Sequence, residues 1–368
     1  MHIADIQAIP IGVPLAKPMR MSFITVERRE SILVRIRTDD GAEGIGDAMT
    51  APYFTGETAL GAQALIERAL APALIGLDPL RLNEAVDRLE RVAVGNPAAR
   101  GAVDIALHDL ASKLLGVPLS TLLGGRCRDR VDATWHISNM DPVADAQEAA
   151  EAVAQGFRIL KVKVGASDLQ RDLAGLRAIR EAAGWGVRLY VDANQAWRPE
   201  QAIGFVRRAE KCGVELIEQP VARWDLAGMA TVAQAVDPPV APDEAVGTAE
   251  ELLTYVRQRA ADAVVAKLVK SGGLAGARRL IAVAEAANVG VYLAAMPGET
   301  SVSAAAALHL AVATRRLPFG TAIAPHYIDQ DIVREPIRPS GGVFQPLEQS
   351  GLGVDLDPSA VDACRLDR

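Results

Sequence analysis

The spacing of hydrophobic and polar positions changes along this chain. Ile32, Val34 and Ile36 alternate with Arg35 and Arg37, the period-two pattern of a half-buried strand. Asp40-Gly41 supplies a hairpin turn, and residues 43–47 lead the return strand. Between Leu15 and Arg29 the alternation is lost and Pro18 intervenes, so this stretch reads as a mobile loop. From Thr58 the period becomes helical and continues to about Val94. A second helix follows the Gly95-Asn96-Pro97 break, because Val103, Ala106, Leu107, Leu110 and Leu114 recur at helical spacing. It ends at Gly116-Val117-Pro118.

After Val131 short apolar runs alternate with amphipathic helices. The runs lie at 131–137, 158–164, 187–192, 214–219, 239–243, 261–267, 289–295 and 319–324. Repeated βα units predict a parallel sheet, and eight of them predict a closed barrel. No Gly-x-Gly-x-x-Gly follows a strand, which argues against a doubly wound dinucleotide fold. The tail has no clear period and is expected to pack back on the N-terminal part. The reading is therefore an N-terminal α+β domain over 1–127, a (β/α) TIM-type barrel over 128–325 and a C-terminal segment over 326–368.

Composition narrows the class. With 368 residues, 50% of them hydrophobic, the chain can bury a large core, and its formal charge of −7 disfavours a nucleic-acid partner. Cys127, Cys212 and Cys364 are too scattered for a disulfide framework or a zinc site. The start has neither a basic region nor a long apolar run, and no stretch is long enough to span a membrane. A cytoplasmic enzyme acting on a small molecule is the expectation.

The chemistry lies where the apolar runs carry charge. Lys161 and Lys163 sit in the second run, and Asp192, Glu218, Asp243 and Lys267 end the next four, with 24 to 29 residues from each strand-end charge to the next. Each interval is one βα unit, so in a barrel these groups converge at the mouth formed by the C-terminal strand ends. A lone acidic strand end is ordinarily a helix cap or a solvated residue; five strands in unbroken order are harder to explain that way. Three carboxylates without His or Cys suit Mg²⁺ or Mn²⁺. Lys161 and Lys163, two apart, point to one face, and their mutual repulsion plus burial is expected to depress a lysine pKa. Lys267 comes from the far side of the ring. Two lysines around a substrate held at its carboxylate can move a proton at the adjacent carbon.

These residues resemble the enolase superfamily, in its muconate cycloisomerase (muconate-lactonizing) subgroup. The helix from Ala102 to Asp109 with Leu122-Leu123-Gly124-Gly125 is similar to the subgroup's capping domain, Lys161-Val162-Lys163 to its Lys-x-Lys motif, and Lys267 before Lys270-Ser271-Gly272-Gly273 to its opposing lysine. The resemblance implies a barrel capped by the N-terminal domain, with residues 17–28 closing over substrate. It implies Mg²⁺ (Mn²⁺ in its stead) on Asp192, Glu218 and Asp243, Lys163 and Lys267 as the acid/base pair, and Lys161 tuning Lys163. Asn194, Glu244 and Glu299 are the substrate-binding candidates. It also implies a homo-oligomer, while charge and run length give the expectation of no membrane or nucleic-acid partner.

On reaction, the resemblance implies an isomerase that forms a metal-stabilised enolate of a carboxylate substrate. A muconate-type cycloisomerase leads, and a racemase, epimerase or dehydratase of an N-acyl or proline-type amino acid is the alternative. Dipeptide epimerases of the subgroup carry Asp-x-Asp after the eighth strand, where this chain has Thr321-Ala322-Ile323-Ala324-Pro325. Asp331-Ile332-Val333-Arg334-Glu335-Pro336 is similar instead to a tail segment of muconate cycloisomerases. After the seventh strand those enzymes have Met-x-Glu, whereas Met296-Pro297-Gly298-Glu299 is one residue longer. Met19, Met21, Phe23, Tyr53 and Phe54 are expected to form an apolar lid.

Overall fold

A computed structural model describes residues 1–20, 24–166 and 168–367. The N-terminal part is an antiparallel sheet of β1 (Ile3–Arg20), β2 (Thr25–Thr38) and β3 (Glu43–Thr50). The stretch read as a mobile loop is mostly strand, with a broken ladder. Met19 pairs with Val26 and Arg20 with Thr25, after an irregularity between Pro14 and Met19 that includes Pro18, which has no N–H to donate. The alternation was illegible there because these residues face a cavity and solvent rather than one buried side. Met21 and Phe23 lie outside the described residues.

The helical stretch from Thr58 is also interrupted. Helices Ala59–Leu65 and Ala71–Leu74 are joined by a π-turn, Ile66–Leu70, and a separate helix spans Leu82–Val92. Pro72 explains the widened turn, because it cannot bond to a carbonyl four residues back and its ring crowds that carbonyl. The helix Pro97–Leu114 lies across β3 at very close range: a Cβ at Gly46 would stand 2.1 Å from the Ala102 carbonyl oxygen. Only glycine permits that approach.

After the short strand β4 (Val131–Asp132) come eight parallel barrel strands: β5 (Thr134–Ile137), β6 (Ile159–Lys163), β7 (Arg188–Asp192), β8 (Val214–Glu218), β9 (Val240–Ala241), β10 (Ala263–Ala266), β11 (Gly290–Ala294) and β12 (Thr321–Ala322). The Asp262 and Val265 amides donate to Val240 and Pro242, and the Ala133–Thr321 bridge closes the ring. Each predicted run contains one of these strands. Among the described residues no helix is long and apolar enough to cross a membrane.

Buried carboxylates join the cap to the barrel. Asp104 accepts from the Leu274 and Ala275 amides at the start of helix Leu274–Ala286, and Asp47 on β3 accepts from the hydroxyls of Thr300 and Ser303. Asp109 accepts from Ile45 of β3 and from Leu352 of the tail. The tail carries β13 (Val343–Phe344), paired with β4, and a helix, Pro358–Cys364, that its sequence did not suggest. It returns to the cap, where Leu366 N–H donates to Pro10.

His309 reports on this tie. Its Nδ1 accepts from Ser120 N–H, which leaves the proton on Nε2 facing the Leu352 carbonyl. Burial pushes its pKa down from 6.5 to about 4. The unfolded imidazole takes up a proton near 6.5 and the folded one does not, so this site should lose stability as pH falls from 6.5 to about 4, by up to roughly 3 kcal/mol. Denaturant titrations at pH 7 and 4.5 should show a smaller loss for His309→Gln than for the parent protein; equal losses would contradict the assignment.

Candidate active site

Alternation along each barrel strand decides which side chains meet inside. Ile159, Tyr190, Leu216, Ala241, Val265 and Tyr292 belong to a buried floor within the ring. Two residues beyond the first five lie Lys161, Asp192, Glu218, Asp243 and Lys267, stacked above the floor by the same period. Lys163 follows Lys161, and His136 follows Thr134 on β5. Ladder pairing sets Lys163 beside Asp192 and Asp192 beside Glu218.

The charged groups pair closely. Lys161 Nζ is 2.6 Å from Glu218 Oε1 and 3.1 Å from Asp192 Oδ2. Lys163 Nζ donates to Asp192 Oδ2 and Asn194 Oδ1, both at 2.6 Å. Across the ring Lys267 Nζ lies 2.5 Å from Asp243 Oδ2, and Lys270 Nζ is 2.9 Å from Asp243 Oδ1. Asn194 in turn donates to Glu244 at 2.9 Å. The backbone just past the acidic strand ends is left-handed at non-glycine residues: Asn194 has φ 43°, Gln195 71° and Gln219 35°. Such conformations persist where surrounding contacts hold them, and they cluster at functional sites.

Electrostatics here depart from the sequence expectation of a depressed lysine. Burial pulls Lys161 and Lys267 down, but contact with Asp192 and Glu218 for the first, and with Asp243 for the second, outweighs it and holds both above the usual lysine value. The lysine that burial does depress is Lys270. Asp192 and Asp243 are held well below the usual carboxylate range, because the neighbouring lysines overcome burial. Glu218 goes the other way, pushed up to about 8 by burial and by repulsion from Asp192. The positive charge at hand does not neutralise all three acids equally.

Among the described residues no three His, Cys, Asp or Glu side chains converge as a ready-made metal cage. Asp192, Glu218 and Asp243 are drawn onto lysines instead. The donor set nevertheless fits a hard dication. All three are carboxylates, and Glu218 Oε2 is buried with no hydrogen-bond partner among the described residues.

Above the lysines lies a small enclosed cavity. Lys161, Lys163, Lys267, Asp243, Asn194 and Glu244 line it from the barrel. Met19, Arg29, Tyr53 and Phe54 line it from the cap, and the Phe54 ring centre is 4.8 Å from Lys267 Nζ. Larger grooves along the tail contain none of the strand-end groups. Glu299 is not among the cavity-lining residues: it is buried, its Oε1 accepts from Met296 N–H at 2.7 Å, and burial pushes it up to about 7. Sequence reasoning missed Arg29, His136 and Lys270. His136 had a usable signal, since it ends the first barrel strand in phase with Thr134; Arg29 had none.

Residues 4–124 match the mandelate racemase / muconate lactonizing enzyme N-terminal domain, and residues 144–360 match the enolase C-terminal domain-like family. The chain belongs to the enolase superfamily, in its muconate cycloisomerase subgroup. This subgroup member is 36% identical to the L-Ala-D/L-Glu epimerase of Bacillus subtilis, over 96% of this chain and 97% of that one. It is 35% identical to muconate cycloisomerase 1-2 of Acinetobacter lwoffii, over 99% and 96%. The crystal structure of muconate lactonizing enzyme from Pseudomonas fluorescens complexed with muconolactone matches with a TM-score of 0.95 and 32% identity, over 99% of each chain. These relatives are isomerases, and this superfamily member is an enzyme of the same class.

Proposed function

We propose that this enzyme is a Mg²⁺-dependent isomerase that generates an enolate beside a substrate carboxylate, and that its reaction is the cycloisomerisation of a muconate-like diacid. The observation carrying the reading is the pair Lys163 and Lys267, which line one cavity from different strands, each ammonium held by a carboxylate. Asp192, Glu218 and Asp243 would hold the metal, which when bound supplies concentrated positive charge next to the substrate carboxylate. Lys161 would orient that carboxylate. One carboxylate of the diacid adds to the double bond, and a lysine delivers a proton to the carbon next to the other. Asn194 fixes Lys163 through its side-chain carbonyl and is itself fixed by Glu244, so both would position the proton donor. The apolar lid residues Met19 and Phe54 exclude water from the reacting carbon.

Racemisation or epimerisation is the second reading, supported by the identity to the Bacillus subtilis epimerase. Residues 321–325 contain no acid and do not line the cavity, so a free substrate ammonium would meet no carboxylate there. That favours N-acyl or proline-type amino acids over dipeptides. Proton exchange followed by NMR in D₂O separates the readings: the cycloisomerase deposits deuterium in the lactone, and a racemase washes it into recovered substrate. Neither turnover nor exchange across both substrate series would sink the proposal.

A further inference from the structure

We propose that Arg29 is the seat of a second, distal carboxylate on the substrate, and that the lengthened loop after β11 builds this seat. The inference rests on reading the cavity as the active site. Arg29 lines that cavity from the cap and is only 2% exposed. Its Nε donates to the Pro297 carbonyl at 2.9 Å, Nη1 to the Tyr53 hydroxyl at 2.5 Å, and Nη2 faces Met19 Sδ at 3.6 Å. All three acceptors are neutral. Among the described residues no carboxylate forms an ion pair with Arg29 within 4.0 Å. Glu299 is close enough to feel its charge, but that carboxyl is engaged with Met296 N–H.

A guanidinium stays protonated, and burying it without a counter-ion is costly. Three acceptors also leave part of its N–H fork unused. The other cations lining the cavity, Lys161, Lys163 and Lys267, each have a carboxylate within hydrogen-bond distance. Arg29 is the exception, and an anion entering the cavity would meet it.

The extra residue in Met296-Pro297-Gly298-Glu299 makes the seat. Pro297 presents its carbonyl to Arg29 Nε, and Gly298 takes φ 90°. A Cβ there would lie 3.0 Å from Arg29 Cγ and 2.4 Å from Leu15 Cδ2, so only glycine lets the arginine stem pass. The seat borders Lys267 on two sides. Met296, next to Pro297, has its sulfur 3.8 Å from Lys267 Nζ, and Phe54, next to Tyr53, stacks on the same ammonium. A substrate with one carboxylate at the acidic cluster would therefore extend past Lys267 towards the cap and end at Arg29. The planar fork suits a carboxylate. The ligand class is a diacid: either an unsaturated diacid or an N-acyl amino acid whose acyl chain ends in a carboxylate.

The test uses the full-length enzyme with added Mg²⁺ and two matched pairs. One is the unsaturated diacid against its distal monoamide; the other is the acid-ended N-acyl amino acid against its amide. Calorimetric affinity and kcat/KM are measured for the parent, Arg29→Met and Arg29→Lys. In one series the parent should prefer the acid-ended member by about 10²-fold, and Arg29→Met should erase that preference by lowering the acid-ended member far more than its amide. Arg29→Lys should restore part of it, and it also serves if the methionine variant does not fold. The responding series identifies which diacid is used. Equal losses on acid and amide, or no preference in the parent, would overturn the inference while leaving turnover to support the isomerase reading. Arg29-dependent binding of the acid-ended compounds without exchange or turnover would uphold the seat and overturn that reading.

Discussion

Replacing Lys163 or Lys267 with alanine should cut turnover by at least about 10²–10⁴-fold and leave the barrel folded. The loss follows from removing a proton-transfer group beside the reacting carbon. The folding follows from the doubled pairing. Without Lys163, Asp192 keeps Lys161 at 3.1 Å, and without Lys267, Asp243 keeps Lys270 at 2.9 Å. Neither variant strands a buried carboxylate, which is what makes a broken buried pair severely destabilising. A cycloisomerase should show unequal losses, because one lysine protonates the product and the other mainly stabilises charge. A racemase should lose exchange from one stereochemical face with each variant. Circular dichroism, turnover and deuterium incorporation decide the matter, and near-native rates in both variants would make these lysines structural.

Chelation of divalent cations should abolish turnover, and Mg²⁺ should restore it. The protein itself should stay folded in chelator, since the lysines already satisfy much of the acidic cluster. Mg²⁺ should raise the midpoint of thermal unfolding, with a gain of about 2.7 kcal/mol at a concentration 100 times Kd. Glu218→Gln is the cleaner ligand variant, because Lys161 retains Asp192, whereas Asp243 neutralises both Lys267 and Lys270. It should remove most of the Mg²⁺ stabilisation as well as turnover. Full activity in excess chelator would defeat the metal assignment, as would thermal midpoints indifferent to Mg²⁺.

The barrel and its charged ring were legible in the amino-acid sequence because both depend on local periods. Alternation by two carries an inward floor residue such as Tyr190 to an inward Asp192, and one βα unit later Leu216 to Glu218, so strand and chemistry are written in the same few residues. The helix Pro97–Leu114 was legible for the same reason, with its apolar spacing and proline start in one segment. What escaped depended on partners far away in the chain. The segment from Leu15 to Arg29 has no alternation, yet most of it is strand, held by a few ladder pairs on either side of an irregularity. Asp47, Asp104 and Asp109 look like ordinary polar residues until the fold brings Thr300, Leu274 and Leu352 to them. Arg29 is the extreme case. Its partner Pro297 lies 268 positions away, so neither its burial nor its lack of a counter-ion could be inferred before the cap closed over the barrel. Periodicity reports which face of an element is apolar; which charges end up facing one another is decided by how those elements pack.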